Sequence, residues 1–399
     1  MPWKSISLVE ARCRFVKLLL KTHQPFGQLC RLFHISRKTG YKWKARFWDS
    51  GHRGLRNRSR RPKHPPNQIP ACWMQRIGQM RRRHRRWGAR KIRARLSRQY
   101  PRQRVPAVRT ITRCIQRLGL PRARYRSRRR GPVVMRSELT VAQASNQVWT
   151  VDFKGWFRTS DGRRVEPLTV RDLFSRYLLV IRLLPDQQWW RVRVVFMDLF
   201  RQYGRPKIIR VDNGGPFGSK GPAGLSRLSA WWTALGIEVQ FIAPGHPEQN
   251  GGHEQMHRVM KAETTTPVSS TLRAQQRRTN RWVWTYNQIR PHEGLQQRTP
   301  AQCYRRPRNT DCPKVQPWVY PKNWDVRSVR SNGQIRWRGR LRFLGEAYAG
   351  FKVGLKLMPN GHQAVYFRCV RLGELRTSDA GGLRPSAYVR RHPLKLKKV

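Results

Sequence analysis

The middle third of the chain has an order of apolar segments that few folds accommodate. Three strand-like runs come first, and helix-like and strand-like runs then alternate. The segments are VWTVDF, the two strands of PLTVRDLFSRYLLVIRLLP joined by a DLFS turn, the helix RVRVVFMDLFRQYG, the strand KIIRVDNG, the helix LSRLSAWWTALG closed by Gly236, the strand IEVQFI and the helical later half of PGHPEQNGGHEQMHRVMKAE. This order predicts a mixed sheet with helices packed against it.

Three carboxylates in this region are candidates for one catalytic site. Asp152 lies near the end of the first strand, Asp212 follows the fourth strand, and Glu254 lies on the last helix. If the first and fourth strands are neighbours, the three side chains can converge. Acidic residues are scarce, since the chain has 85 Lys and Arg but only 20 Asp and Glu. Converging carboxylates also repel one another unless cations lie between them.

Oxygen ligands of this kind favour a hard divalent cation. We expect Mg²⁺, with Mn²⁺ as a substitute, and two ions in the site. Two ions about 3.5 to 4 Å apart can activate an attacking oxygen and stabilise a leaving oxygen during phosphoryl transfer. Asp152, Asp212 and Glu254 are therefore the predicted catalytic residues and the predicted metal ligands.

Other acids in the same region compete for these roles. Asp172 is better placed to serve the DLFS turn, and Asp198 lies within a predicted surface helix. Glu248 is the serious competitor, because it also follows Asp212 in the segment that leads to the last helix. Spacing alone does not choose between Glu248 and Glu254.

The charge of the chain points to nucleic acid as its partner. The formal net charge is +65, and the arginines are spread through most of the sequence. Neutralising DNA phosphates would offset this repulsion and would make binding weaken steeply as salt rises. The sequence has no apolar run of about 18 residues, no signal peptide, and no C-x-x-C pair among its seven cysteines. These features predict a cytoplasmic, nucleoid-associated protein that binds double-stranded DNA.

Residues 1–62 predict a helix-turn-helix domain followed by a basic linker. Apolar residues in LVEARCRFVKLLL have helical spacing, a short helix can begin after Pro25, and a longer helix would begin after the N-cap Ser36 and end at Gly51. The turn carries His34, where such turns usually have glycine. The outer face of the longer helix is predicted to enter a major groove through Arg37, Lys38, Tyr41 and Lys42.

Residues 63–135 predict a second helical DNA-binding domain with an arginine-rich linker. Three helical segments follow one another between Ala71 and Leu120. The last has apolar residues on one face, which leaves its other face to DNA through Arg109, Thr110 and Arg113. Two tandem DNA-binding domains can span a longer site than one, which suits recognition of a defined sequence.

The last quarter of the chain has the alternation of a small antiparallel sheet. Residues 311–378 alternate between apolar and polar positions, with turns at SNG and PNG. The pattern favours a small SH3-like β-barrel that binds DNA, and residues 379–399 form a basic tail. Six arginines are predicted to lie on the solvent faces of this sheet: Arg327, Arg330, Arg336, Arg338, Arg340 and Arg342.

Four segments resemble, in order and wording, the DDE transposases of bacterial insertion sequences, which share the retroviral integrase core. These segments are NQVWTVDFKGWF, IIRVDNGGPF, GHPEQNGGHEQMHRVMKAE and YNQIRPHEGLQQRTPAQCY. The resemblance covers nearly the whole chain and implies a ribonuclease-H-like mixed α/β catalytic core over residues 136–310. No reaction step is assigned to Arg290, Pro291 and His292 of RPHEGL, which we expect to end a helix.

The resemblance also selects the third acid. The family's two aspartates correspond to Asp152 and Asp212, and its glutamate follows the pattern Pro-x-x-Asn-Gly-x-x-Glu, which here is Pro247, Asn250, Gly251 and Glu254. This implies Glu254 rather than Glu248. Glu254 shares a helix face with His257, Arg258 and Lys261, which are predicted DNA contacts. Gln255 departs from the family, which tends to have arginine after the glutamate.

Together these features predict a multidomain α+β protein that acts as an insertion-sequence transposase. It would bind the terminal inverted repeats of its element, and water and then a freed 3′-hydroxyl would attack DNA phosphates at the metal site. The resemblance implies at least a dimer on the DNA. The alternative is a catalytically inactive, architectural DNA-binding protein derived from a transposase.

Overall fold

The computed structural model describes residues 7–59, 68–120, 139–243, 249, 251–307, 314–315, 317–378 and 382–385. The chain forms two compact units, Met1–Cys72 and Trp73–Val399. Within the described ranges, no helix combines the length and the apolar character that crossing a membrane requires.

The first unit is a bundle of three helices. Its helices are α1 (Leu8–Lys21), α2 (Phe26–Leu32) and α3 (Arg37–Gly54). Their apolar faces meet in a core of Phe15, Val16, Leu29, Cys30, Trp43 and Leu55. Ser36 caps α3 as predicted, because its hydroxyl accepts a hydrogen bond from the Thr39 amide at 3.2 Å.

Two residues of the first unit, His34 before α3 and Gly51 within it, have a positive φ. His34 adopts a positive φ of 51°, so a non-glycine residue occupies the left-handed position that such a turn requires. Helical geometry in α3 is interrupted at Gly51, where φ is 56°. The predicted DNA contacts Arg37, Lys38, Tyr41 and Lys42 are all exposed on α3.

A second group of three helices opens the second unit. These are α4 (Ala71–Arg83), α5 (Ala89–Gln99) and α6 (Val108–Arg117). Ile77, Ile92 and Ile111 are fully buried between them. On the outer side of α6, Arg109 and Arg113 are exposed and Thr110 is half-buried. The predicted three-helix arrangement is therefore present, and two of its three predicted contacts lie fully on the surface.

The middle of the chain folds into a six-stranded mixed sheet. The strands are β1 (Val148–Phe153), β2 (Phe157–Arg158), β3 (Arg164–Asp172), β4 (Leu178–Leu184), β5 (Ile208–Val211) and β6 (Glu238–Phe241). They are ordered β2-β3-β1-β5-β6, and β4 pairs with β3. The first three long strands are antiparallel, whereas β1, β5 and β6 are parallel. The strand β1 thus lies beside β5, as the convergence of the acids requires.

Helices cover both faces of this sheet. They are α7 (Trp189–Tyr203), α8 (Arg227–Ala234), α9 (Gly251–Thr264), α10 (Leu272–Trp284) and α11 (Pro300–Cys303). On one face, residues of α7 and α8 pack with Trp149 of β1, and the rings of Phe196 and Trp232 lie 4.8 Å apart. On the other face, Met256 and Met260 of α9 pack with Trp282 of α10. A π-helical turn continues α10 and ends at Arg290, as predicted for RPHEGL.

The carboxyl-terminal region departs from the predicted barrel. Its strands are β7 (Asp325–Ser328), β8 (Gln334–Trp337), β9 (Arg340–Phe343), β10 (Lys352–Leu357), β11 (Gln363–Phe367), β12 (Val370–Leu375) and β13 (Arg384–Pro385). Five of them form an antiparallel sheet ordered β13-β12-β11-β10-β7, while β8 and β9 pair only with each other in the described part of the chain. Both sheets are open, so closure into a barrel is not confirmed.

One of the six predicted surface arginines of this region is buried. Arg342 is 3% exposed, whereas the other five are exposed. The reason is the register of the β8–β9 hairpin, which pairs Arg342 with the buried Ile335 and directs it inward. Its guanidinium lies 5.7 Å from the ring of Trp337, which stabilises a cation in this apolar setting. The prediction of a solvent-facing Arg342 is therefore wrong.

Candidate active site

Two of the three predicted acids meet at one edge of the central sheet. Parallel pairing aligns Val148 with Ile208 and Thr150 with Arg210. The same register, continued by two residues, brings Asp212 level with Asp152. Asp212 follows β5 directly, at the start of the Asn-Gly turn, so its carboxylate extends beyond the paired strands.

Helix α9 crosses the sheet face that carries Asp152. The Nε2 of His257 lies 2.8 Å from the hydroxyl of Thr169 on β3. That hydroxyl donates a hydrogen bond to the main-chain oxygen of Asp152 at 2.9 Å. Thr169 therefore links α9 to the strand that carries the first acid, and this contact fixes the position of Glu254 along the sheet.

A cleft of about 490 Å³ separates α9 from the end of β1. Asp152 and Glu254 both line it, together with Lys154, Arg258 and Lys261. Glu254, Arg258 and Lys261 are exposed, so they are accessible to a macromolecular ligand. The cleft thus combines two carboxylates with three cations, an arrangement suited to a phosphate next to a metal ion.

The two aspartates are strained electrostatically. Burial raises the pKa of Asp152 to about 7, and the negative charges of Asp212 and Glu254 add to this rise. Burial also raises the pKa of Asp212, although a hydrogen bond from the Gly214 backbone opposes the shift. The Oδ1 of Asp212 is buried and has no hydrogen-bond partner. A buried, unpaired carboxylate oxygen is costly, and a bound cation would remove that cost.

His257 is placed differently from its predicted role as a surface DNA contact. It is only 4% exposed, whereas its helix neighbour Arg258 is exposed. Burial, together with the positive charges of Lys154 and Arg171, lowers the pKa of His257 to about 3. The ring is therefore neutral, and its approach to Asp152, with Nδ1 at 3.8 Å from Oδ2, is not an ion pair. The Thr169 hydroxyl donates its hydrogen to the main-chain oxygen of Asp152, so it can only accept a hydrogen bond from His257. The ring hydrogen of His257 therefore lies on Nε2.

In the described part of the chain, no three His, Cys, Asp or Glu side chains lie close enough together to hold one metal ion as they stand. The structure brings Asp152 beside Asp212 and places Glu254 on the same cleft, but does not draw all three around one point.

The competing acids have other partners or lie elsewhere. Asp172 is fully buried and accepts hydrogen bonds from the amide and hydroxyl of Ser175, so it serves the turn as expected. Asp198 lies on the surface of α7 and pairs with Arg201 at 3.3 Å. Glu248 lies outside the described residues.

Sequence reasoning missed the cations that surround the acids. Lys154 lines the cleft, and its position two residues after Asp152 places it on the same side of an extended chain. Arg171 of β3 is buried on the sheet face below α9. The sequence carried a signal for Arg171. Thr169 pairs with Asp152, and Arg171, two residues further along β3, faces the same side of the sheet as Thr169.

Models of known domains match most parts of the chain. An integrase core domain matches residues 142–247, and a second integrase core domain matches residues 235–300. A helix-turn-helix domain matches residues 11–63, and a homeodomain-like domain matches residues 39–115. The two integrase matches together include Asp152, Asp212 and Glu254.

Two curated relatives have the same origin in mobile DNA. An uncharacterized 31.7 kDa protein of insertion element IS407 from Burkholderia multivorans is 31% identical over 193 residues, which are 48% of this chain and 67% of the relative. The chain belongs to the bacterial insertion-sequence transposases with an integrase-type core. An uncharacterized 39.2 kDa protein of insertion element IS476 from Xanthomonas euvesicatoria is 29% identical over 255 residues, 60% of this transposase and 67% of the relative. The chain is accordingly a DDE-type polynucleotidyl transferase.

Solved integrases are similar to the transposase at low identity. The catalytic core domain of HTLV-2 integrase, in complex with magnesium, is 16% identical with a TM-score of 0.33 and covers 41% of this chain and all 100% of its own. A chain of the simian T-cell lymphotropic virus intasome, in complex with PP2A regulatory subunit B56 gamma, is 15% identical with a TM-score of 0.37. The match covers 75% of this chain and 99% of the intasome chain. Both scores are below 0.5, so the overall likeness is distant.

The raised pKa of Asp152 predicts a pH-dependent change in stability. Its carboxyl has a pKa of about 7 in the folded transposase and an ordinary value of 3.8. Between these values the folded state binds more protons, so this group's contribution to stability falls as pH rises and is fully lost above about pH 7. Without divalent metal, Asp152→Asn should therefore stabilise the transposase at about pH 8 by up to roughly 4 kcal/mol.

The measurement is urea unfolding in EDTA across this pH range. The difference between Asp152→Asn and the unsubstituted transposase should shrink steadily toward about pH 4. Asp198→Asn, which changes an exposed acid, is the matched control and should show no such trend. A difference that is the same at every pH would contradict the assignment of a raised pKa to Asp152.

Proposed function

We propose that the transposase cuts and joins DNA with Asp152, Asp212 and Glu254 as its catalytic carboxylates. The observation that carries this proposal is the buried, unpartnered Oδ1 of Asp212 beside an Asp152 whose pKa is raised by burial and by the charge of Asp212. Such a pair is costly by itself and becomes favourable when a divalent cation binds. The all-oxygen ligand set suits Mg²⁺, with Mn²⁺ as a substitute, and room for two ions.

The chain's own residues prepare a DNA phosphate for attack. Bound Mg²⁺ would supply Lewis acidity, lowering the pKa of an attacking hydroxyl and balancing charge on the leaving oxygen. Lys154, Arg258 and Lys261 hold the negative phosphates at the cleft. His257 does not contact the DNA in this proposal. It is a positioning residue, because its bond to Thr169 fixes the main chain at Asp152.

The remaining domains bring the element's ends to this cleft. We assign end recognition to the exposed faces of α3 and α6, which carry Arg37, Lys38, Tyr41, Lys42, Arg109, Thr110 and Arg113. The open sheets of the carboxyl-terminal region are proposed to act as an SH3-like module on DNA ends. Two ends must meet before joining, so the active species is at least a dimer on DNA inside the bacterial cytoplasm.

A joining assay with purified transposase tests this function. The substrate is a labelled duplex with the inverted repeat that brackets the coding region, and a supercoiled plasmid serves as target. We expect joined products in Mg²⁺ or Mn²⁺, none in Ca²⁺ or EDTA, and a steep loss of duplex binding as salt rises. Tight binding of the duplex without joined product in either metal would contradict the proposal and favour an architectural role.

A further inference from the structure

A second cavity, separate from the catalytic cleft, lies at the amino-terminal end of α9. It has a volume of about 540 Å³ and is lined by residues of α5, β1, β3, α9 and the RPHEGL segment. Gly251 and Gly252 of α9 face this cavity, whereas the catalytic cleft is lined by residues from Glu254 onward. The first turn of α9 therefore lies at the cavity, where the positive end of the helix dipole favours an anion.

The side chains around this cavity are strongly cationic. Lys91, Arg171, Arg176 and Arg290 line it, and Glu293 is its one acidic lining residue among the described parts of the chain. Glu293 pairs with Arg90 outside the cavity, and Arg290 lies 3.5 Å from Glu263. Neither Arg171 nor Arg176 forms an ion pair with any described residue. Among the described residues, the charge of Arg171 is opposed only at longer range by Asp172 of the same strand.

Arg171 is the most unusual of these groups. It is 5% exposed, and its Nε is buried without a hydrogen-bond partner. Burial lowers its pKa, and an interaction with Tyr286 only partly opposes this effect. His292, 7% exposed, also has a buried Nε2 without a partner at the same cavity. Buried polar groups of this kind ordinarily have partners, so their orientation toward one cavity indicates a ligand.

Two glycines make room for the two guanidinium groups. A Cβ added to Gly252 would lie 2.5 Å from a terminal nitrogen of Arg171, and one added to Gly294 would lie 2.2 Å from a terminal nitrogen of Arg176. Arg176 also has a positive φ of 60°, a conformation that costs energy for any residue with a side chain. The glycines therefore let both guanidinium groups lie close against the main chain in their present positions.

We propose that this cavity binds one backbone phosphate of the DNA strand that enters the active site. A planar guanidinium can donate two parallel hydrogen bonds to a phosphate, and an N-terminal helix turn adds main-chain donors. Thr150, which lines the cavity, precedes Asp152 by two residues on β1, about 7 Å along the strand. Lys91 of α5 also lines the cavity, so the phosphate would contact both the second helical domain and the strand that carries Asp152.

This proposal rests on the proposed function for the identity of its ligand, but its test measures binding alone. The probe is a fluorescent duplex of the element's inverted repeat, titrated with full-length transposase in EDTA. A set of duplexes replaces one phosphate at a time by a neutral methylphosphonate. For the unsubstituted transposase, one position near the cleavage point should weaken binding about tenfold.

Arg176→Gln is the decisive variant, since Arg176 is only half-buried and its loss leaves the core intact. It should bind the unmodified duplex about tenfold more weakly and show no additional loss at that one methylphosphonate position. Arg171→Gln should behave alike if it folds. Arg201→Gln is the matched control, because the Arg201 side chain is exposed on α7, which packs against the opposite face of the sheet, and it should keep the full methylphosphonate effect.

If Arg176→Gln loses as much binding affinity at every methylphosphonate position as the unsubstituted transposase does, the two changes act independently, and the proposal is overturned. Inorganic phosphate gives a second arm: binding detected by ³¹P NMR that Arg176→Gln abolishes, without coupling to any DNA position, would mean a free-phosphate site and also overturn it. If Asp152→Asn abolishes joining but Arg176→Gln shows no coupling to any methylphosphonate position, the proposed active site is supported and only the phosphate-binding role of this cavity is overturned.

Discussion

Asp152→Asn is expected to reduce strand cleavage and joining by at least about 1,000-fold while leaving binding of the end duplex nearly unchanged. The substitution keeps the size of the side chain but removes the charge that a divalent cation needs. It also keeps the main-chain oxygen that accepts the Thr169 hydrogen bond, so β1 and α9 should stay in register. The loss therefore reports on chemistry rather than on folding.

The opposite effect on stability makes this variant unusually informative. Because Asp152→Asn removes a buried carboxylate, we expect a protein that is inactive yet more stable above about pH 7 without metal. Initial rates of joining in Mg²⁺ and anisotropy with the end duplex are the measurements. Asp198→Asn should retain full activity, since the Asp198 side chain is exposed on α7 and pairs with Arg201. Joining by Asp152→Asn at more than about a tenth of the normal rate would contradict a metal-binding role.

The arrangement of the core could be predicted because its signals are local. The strands β1, β4 and β5 are short and largely apolar, and the helices between strands end at glycines with positive φ, Gly204 and Gly236. The run VWTVDF and the Asn-Gly turn signal also predicted that Asp152 and Asp212 lie at strand ends, where adjacent parallel strands bring residues together. The resemblance to DDE transposases then distinguished Glu254 from Glu248, which spacing could not do.

The orientation of individual polar side chains could not be predicted, since it depends on distant packing. Helical periodicity places His257 and Arg258 on nearby faces, but only the position of α9 against Thr169 buries the first and exposes the second. Arg342 is buried because a hairpin register pairs it with Ile335. The cationic cavity combines residues from five separate segments, and no stretch of sequence carries a signal for it.

Glu254→Gln should abolish joining about as completely as Asp152→Asn, whereas Glu248→Gln should leave it unchanged. The two glutamates are close in sequence, but Glu254 lies in the first turn of α9 and lines the cleft with Asp152. Its negative charge also contributes to the raised pKa of Asp152, so the two carboxylates interact electrostatically. An uncharged glutamine of the same size would keep the helix and remove a metal ligand.

The central claim is that Asp152, Asp212 and Glu254 act together as one catalytic site. Its most direct test is the initial rate of strand joining by Glu254→Gln and Glu248→Gln, assayed side by side in Mg²⁺ and in Mn²⁺. Both variants should bind the end duplex as tightly as the unsubstituted transposase, so that binding does not limit the comparison. We predict a loss of at least about 1,000-fold for Glu254→Gln in both metals and a normal rate for Glu248→Gln. A normal rate for Glu254→Gln with a comparable loss for Glu248→Gln would contradict the assignment of the third carboxylate.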